Sequence, residues 1–324
     1  MTQVRGRALR GGIDLGGTKV QAIVMDEGHA VLGSARNPTP TQGEPKDVAD
    51  TMVAVLADAC AAAGVDAADL VGVGVGSPGA IDAETGTVSG AGNLPGWSGS
   101  YPLAPALADL LGTEVFLGND VTVATVAEFR LGAGRPYQSI LGVFCGTGVG
   151  GGLILDGKPW VGRGAAGEFG HLVVRRGGAR CPCGRRGCVE AYAGRGAMEA
   201  TARRVMRTGR KTVLFEIMES RGRTRLTSGV FARALDRGDP LATLLIKRAI
   251  RALGAGIGSA VNLLDLEAVI IGGGLGLRLG EPFVEEVRAA TVPHLFVNER
   301  PPAMLLAELG DLGGAIGAAL LVTD

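Results

Sequence analysis

"GGIDLGGTKVQAIVMDEGHAVLGSAR", residues 11–36, is the stretch that decides the fold. Its apolar and β-branched runs are separated by "GGTK" and "DEGH", so it reads as strand, glycine turn, strand, turn, strand, a meander and not a strand-to-helix crossover. "SILGVFCGTGVGGGLILDGKPW", residues 139–160, repeats that order. The two copies, around residues 12–33 and 140–160, predict equivalent halves of a duplicated α/β fold.

The segments around them fill in both halves. Residues 46–63, "KDVADTMVAVLADACAAA", carry apolar residues three and four apart and predict a helix, with Cys60 as a small core residue. "DLVGVGVGSPGAI" reads as a buried strand running into a loop, "PLAPALADLLG" as a short helix and "TEVFLGND" as a strand. "VTVATVAEFRLGAG" then turns helical, which puts Asp120 at a strand-to-helix junction. Residues 190–260 read as mostly helical, with a charged insert at 203–225 taken as a solvated face. "LEAVIIGGGLG" is a late strand with a glycine turn, "AMLLAELG" another strand and "LGGAIGAALL" a closing helix. The expected division is a small α/β lobe over 1–118, joined by a C-terminal helix at 311–324, and a large α/β lobe over 119–310.

At 324 residues the chain is long enough for two lobes around a cleft. Lys plus Arg equals Asp plus Glu at 32 each, so no net field draws it to nucleic acid or an anionic membrane. Arg5, Arg7 and Arg10 form a short basic arm without a signal-peptide core behind it, and no membrane-length apolar run occurs; a cytoplasmic protein is expected. Glycine supplies 55 residues, more than twice the usual share of roughly 7%, and clusters after apolar runs, where strands end in turns that let backbone approach a ligand.

Gly146, Gly148 and Gly151 satisfy G-x-G-x-x-G, but "GGLILDG" continues as strand and turn where the dinucleotide fingerprint needs a helix. The alternative is a hairpin turn whose backbone N–H groups and threonine hydroxyl cradle phosphate oxygens. Thr18 in "GGTK" and Thr147 in "CGTG" occupy matching turns, one per half, as the two jaws of a phosphate clamp. Asp14, just before the first turn, is placed to face Mg²⁺ through water.

"EFGHLVVRRGGARCPCGRRGC" gathers His171, Cys181, Cys183 and Cys188. Three thiolates and one imidazole make a closed zinc set with no open position for a reacting water, so Zn²⁺ is expected to be structural. The odd cysteine count and the C-x-C spacing speak against a disulfide framework and a thioredoxin-like redox pair. Such a staple would fix Glu168 and Glu190 as acceptors for ligand hydroxyls.

At these residues the chain resembles the ROK (repressor, open reading frame, kinase) family and, within it, the bacterial ATP-dependent glucokinases. The family's E-x-G-H followed by G-x-x-C-x-C-G-x-x-G-C-x-E runs without a gap from Glu168 to Glu190. "DLGGTK", "GNLPGW", the "ND" pair, "GTGVGGG" and "IIGGG" stand in family order. The resemblance implies an actin-like, hexokinase-type ATPase fold of two ribonuclease-H-like halves around a sugar and nucleotide cleft. It implies that Asn93, Asn119, Asp120, Glu168, His171 and Glu190 contact a hexose, with backbone at Gly79 lining the pocket. It further implies that Gly16, Gly17, Thr18, Lys19, Thr147 and Gly148 hold the phosphates of ATP, that Gly272, Gly273 and Gly274 face the adenosine, and that Asp120 is the general base. The expected reaction is ATP- and Mg²⁺-dependent phosphorylation of glucose to glucose 6-phosphate. Fructose, mannose, allose and N-acetylhexosamines are the alternative sugars. A sugar-responsive repressor would carry an N-terminal helix-turn-helix domain, and only about ten residues precede the first strand here. The expected assembly is a homodimer or homotetramer.

Overall fold

The computed structural model describes residues 8–92 and 94–323. They divide into two compact units, one comprising Met1–Leu131, Val161–Ala166 and Asp311–Asp324, the other Gly132–Trp160 and Gly167–Gly310.

In the first unit β1 (Leu9–Leu15), β2 (Lys19–Met25) and β3 (Val31–Pro38) form the antiparallel meander. Helix α1 (Pro45–Ala63) follows. Its start is set by Pro45 in the first turn and a reciprocal capping box of Glu44 and Asp47, and its end by Gly64 in the left-handed conformation. Strand β4 (Leu70–Ser77) adds parallel to β1. A small sheet of β5 (Ala80–Asp82), β6 (Thr87–Ser89) and β7 (Ser100–Tyr101) stands where the sequence predicts a loop. After α2 (Leu103–Leu111), β8 (Val115–Asn119) pairs parallel with β4 and runs directly into α3 (Asp120–Leu131). Ile13, Leu15, Val20, Met52, Leu56, Leu103 and Leu107 fill the core.

The second unit repeats the plan. Strands β9 (Ile140–Cys145), β10 (Val149–Leu155) and β11 (Lys158–Pro159) form the second meander. Helices α4 (Glu190–Ala193), α5 (Arg195–Met206), α6 (Leu214–Ser220), α7 (Ser228–Asp236) and α8 (Pro240–Leu264) follow, then β12 (Ala268–Gly272), α9 (Gly273–Thr291) and β13 (Ala303–Leu306). The strand orders are β3-β2-β1-β4-β8 and β11-β10-β9-β12-β13, with antiparallel pairs before the third strand and parallel pairs after it in both sheets. Duplication is thus written in topology as well as in sequence.

The structure departs from the sequence reading elsewhere as well: the 203–225 stretch, expected as a solvated face, buries Leu214, Phe215, Ile217 and Met218 in the core of the second unit. Helix α3 belongs to the first unit, so that unit runs to Leu131 and not to 118, because α3 packs on the closing helix α10 (Gly313–Ala319) and on β4. That helix is shorter than the expected 311–324. It lies so close to the sheet that a Cβ on Gly12 would fall 2.1 Å from the Ala315 carbonyl oxygen, and one on Gly74 1.8 Å from that of Ala318. Gly12 and Gly74 thus serve that approach. Finally, "GGGLGLRLGEP" is helical, as the first part of α9, where only a glycine turn was expected. The helix breaks at Gly280, whose φ is 67°, just before Pro282.

Candidate active site and metal cluster

Asp14, Gly76 and Asn119 lie at the carboxyl ends of the adjacent parallel strands β1, β4 and β8, the edge where open α/β sheets bind ligands. Asn119 caps α3: its Oδ1 accepts from the backbone N–H groups of Val121 and Thr122, both at 3.1 Å. Asp120 is therefore the first helical residue and not the cap, with its Oδ1 accepting from Val121 N–H at 2.9 Å. Gly79, at φ 97°, forms the turn out of β4. Asn93 lies outside the described residues.

The turn from β1 to β2 closes through Gly16 N–H donating to the Lys19 carbonyl at 2.9 Å and leaves Gly17 and Thr18 exposed. Lys19 Nζ donates to Gln21 at 2.6 Å and lies 3.8 Å from Asp311. Burial pushes the Asp14 carboxyl up to about 6, with Lys19 opposing the shift and Asp311 adding to it. The folded pKa thus exceeds the ordinary value of 3.8, so the folded state keeps a proton that the unfolded chain loses first. Stability from this group is present at low pH and lost as pH rises from about 4 to about 6. Asp14→Asn is expected to raise the thermal midpoint at pH 7.5, by on the order of 1–3 kcal/mol of stability, and to leave it unchanged at pH 4. Melting curves at the two pH values check this.

In the second unit the matching turn is tighter, closing through Gly146 N–H to the Gly148 carbonyl at 2.9 Å, with Thr147 exposed at its tip. The two threonines are thus offset by one position within turns of different length. Glu190, the first residue of α4, reaches back to this turn: its Oε2 accepts from Val149 N–H at 2.9 Å, and a Cβ on Gly148 would sit 2.3 Å from that oxygen. Gly273 begins α9 at φ 74°, where a Cβ would fall within 2.6 to 2.8 Å of the Cys145 backbone. Only glycine lets the start of α9 come this close to Cys145, the last residue of β9 before the Thr147 turn.

His171, Cys181, Cys183 and Cys188 place their ligand atoms within 4.8 Å of one another. Cys181 Sγ is 3.8 Å from His171 Nδ1, and Cys183 Sγ is 3.8 Å from Cys188 Sγ. A tetrahedron with Zn–S bonds of about 2.3 Å has edges of about 3.8 Å, so both the donor set and its spacing fit Zn²⁺. Burial holds the Cys181 thiol up, at about 12, whereas the Arg185 backbone and side chain hold exposed Cys183 down, at about 6. The other nitrogen of His171, Nε2, faces Glu168 Oε2 at 3.9 Å, and Glu190 Oε1 is 3.9 Å from Cys181 Sγ. Both glutamates flank the cluster, Glu168 exposed and Glu190 half-buried between the metal ligands and the Thr147 turn.

One residue of this region has no counterpart in the sequence reading. Arg195 Nε donates to the Gly146 carbonyl at 3.1 Å and its Nη2 to Thr147 Oγ1 at 3.0 Å. Burial lowers its pKa, Arg225 nearby lowers it further, and Glu199 opposes them.

The ROK family profile matches residues 10–324. The chain belongs to the ROK family. A glucokinase of Thermotoga maritima is 32% identical to this ROK chain over 320 residues, covering 97% of the chain and 96% of the relative. An N-acetylgalactosamine kinase of Shewanella sp. is 34% identical over 325 residues, covering 96% and 95%. The crystal structure of a Streptomyces griseus ROK glucokinase in complex with glucose and AMPPNP superposes with a TM-score of 0.83 at 32% identity, covering 98% of the chain and 99% of its own. The duplicated sheets of this ROK protein are those of the actin-like ATPase fold. Among the described residues no helix is long and apolar enough to cross a membrane.

Proposed function

We propose that this protein transfers the γ-phosphoryl group of ATP to the 6-hydroxyl of glucose. The supporting observation is whole-length similarity to glucokinases, one of them bound to glucose and AMPPNP, a non-hydrolysable ATP analogue. Asp120 accepts the proton of the 6-hydroxyl as its oxygen bonds to the γ-phosphorus, and the bond from that phosphorus to the β–γ bridging oxygen breaks to release ADP. Asn119, Asn93 and the Gly79 backbone orient the sugar; Glu168 and Glu190 accept from its C1 and C2 hydroxyls, and His171, with Nδ1 turned to the metal, donates from Nε2–H. The Gly16–Lys19 and Thr147–Gly148 turns receive phosphate oxygens, and the Gly272–Gly274 backbone faces adenosine. Asp14 would hold Mg²⁺, which when bound would supply charge neutralisation on the phosphates. Zn²⁺ on His171, Cys181, Cys183 and Cys188 is structural, since the protein fills all its positions. A homodimer or homotetramer is the assembly we infer, readable by light scattering.

The orientation has a direct test. Removing the 2-hydroxyl strands a partly buried carboxylate without its hydrogen bond, which costs on the order of 1.5–3 kcal/mol. 2-Deoxyglucose is therefore expected to be phosphorylated with kcat/KM about 10- to 100-fold below that of glucose in a coupled ADP assay. Equal values would show that these residues do not hold C2. A second reading, an N-acetylhexosamine kinase, is favoured by the N-acetylgalactosamine kinase relative at 34% identity. In that case the 2-acetamido sugar, and not glucose, would give the highest kcat/KM.

A further inference from the structure

Arg195 opens α5, sequence-distant from the turn it holds, and both of its observed partners are neutral oxygens: the Gly146 carbonyl and the Thr147 hydroxyl. Its backbone joins the same turn, with Arg195 N–H donating to Gly146 at 3.2 Å and Gly196 N–H to Thr147 at 3.0 Å. The nearby carboxylate, Glu199, is already taken: it pairs with Arg203 at 2.7 Å, approaches Arg225 at 3.8 Å and accepts from Leu226 N–H at 3.0 Å. Arg225 brings a second guanidinium alongside, its Nη2 3.8 Å from where a Gly196 Cβ would stand. Among the described residues Arg195 makes no ion pair, although it is half-buried and repelled by a neighbouring cation. Holding a bare guanidinium in such a place is unfavourable unless an anion arrives to offset it.

The chemistry of the turn says which anion. When Arg195 donates to Thr147 Oγ1, it occupies a lone pair and leaves the hydroxyl hydrogen free to point outward as a donor. The guanidinium keeps further N–H groups beyond the two in use, in the planar fork that matches phosphate oxygens. We propose that Arg195 is a donor-phosphate residue: it sets the Thr147 hydroxyl as a donor and itself contacts the terminal phosphates of the nucleotide. The inference rests on the reading that the Thr147 turn holds donor phosphates, and it adds a charged group to a turn otherwise made of backbone and hydroxyl.

The test compares Arg195→Ala and Arg195→Lys with the wild type, titrating ATP, adenosine and glucose separately by calorimetry and reading KM for ATP and for glucose. The alanine variant should lose about tenfold or more in ATP affinity, while adenosine and glucose affinities stay within about twofold of wild type. Lysine, which keeps the charge but not the fork, should fall between. A merely structural clamp behaves differently: loosening the turn would also disturb Glu190 through Val149, so glucose and ATP would weaken together. That pattern, or an unchanged ATP affinity, overturns the proposal. A wild type that binds no ATP overturns the kinase reading with it, so the two failures are distinguishable.

Discussion

Asp120→Asn is expected to lower kcat by 100-fold or more, about 2.7 kcal/mol of barrier, while glucose affinity stays within a few-fold of wild type. The amide keeps the size of the carboxylate and can still hydrogen-bond a sugar hydroxyl, but it cannot take up the proton released as that hydroxyl attacks. The fold should tolerate the change because the cap of α3 is supplied by Asn119, which accepts from both Val121 and Thr122 N–H. Paired measurement of kcat by coupled assay and of glucose binding by calorimetry separates the outcomes. Near-normal turnover would leave Asp120 as a first-turn helix residue only; a loss of binding equal to the loss of rate would make it a sugar-positioning residue.

Loss of the metal cluster should be nearly as damaging, through a different route. Purified protein should contain about one zinc ion per chain, and Cys183→Ser should lose it, since three ligands hold zinc far less well than four. Cys183 is the exposed member of the set, so its substitution makes no cavity in the core. What fails is the support of Glu168, which faces the outer nitrogen of His171, and of Glu190, which touches Cys181. With both acceptors loosened, KM for glucose should rise on the order of 10- to 100-fold. ATP affinity should change much less, because the Thr147 turn is also held by Arg195. Metal analysis beside steady-state kinetics reads both effects, and full activity in a zinc-free variant would contradict the assigned role of the cluster.

The parts of this molecule that could be read from its sequence are those whose information is local. The meanders at residues 11–36 and 139–160 announce themselves by apolar, β-branched runs and glycine turns, and β1–β3 and β9–β11 form there. The C-x-C-x-x-x-x-C run after His171 specifies a ligand set through residue type and spacing alone, and the four side chains converge. What stayed hidden depends on distant partners. Helix α9 opens on glycines and contains Pro282, so intrinsic propensity argues against it; its backbone is held by packing against the end of β9. The first unit extends through α3 because of α10, which lies near the other end of the chain. Arg195 meets Thr147 across 48 residues of sequence, and one arginine in a helical stretch carries no pattern of its own.

The central claim, glucose as the acceptor and ATP as the donor, is tested most directly by competition. The protein is incubated with Mg²⁺, limiting ATP and equal concentrations of glucose and N-acetylglucosamine, and the phosphorylated products are resolved by phosphorus NMR. Glucose 6-phosphate should form in amounts matching the ATP consumed, with the N-acetylated product a minor species. Predominance of N-acetylglucosamine 6-phosphate, or ATP left unconsumed, would contradict the account.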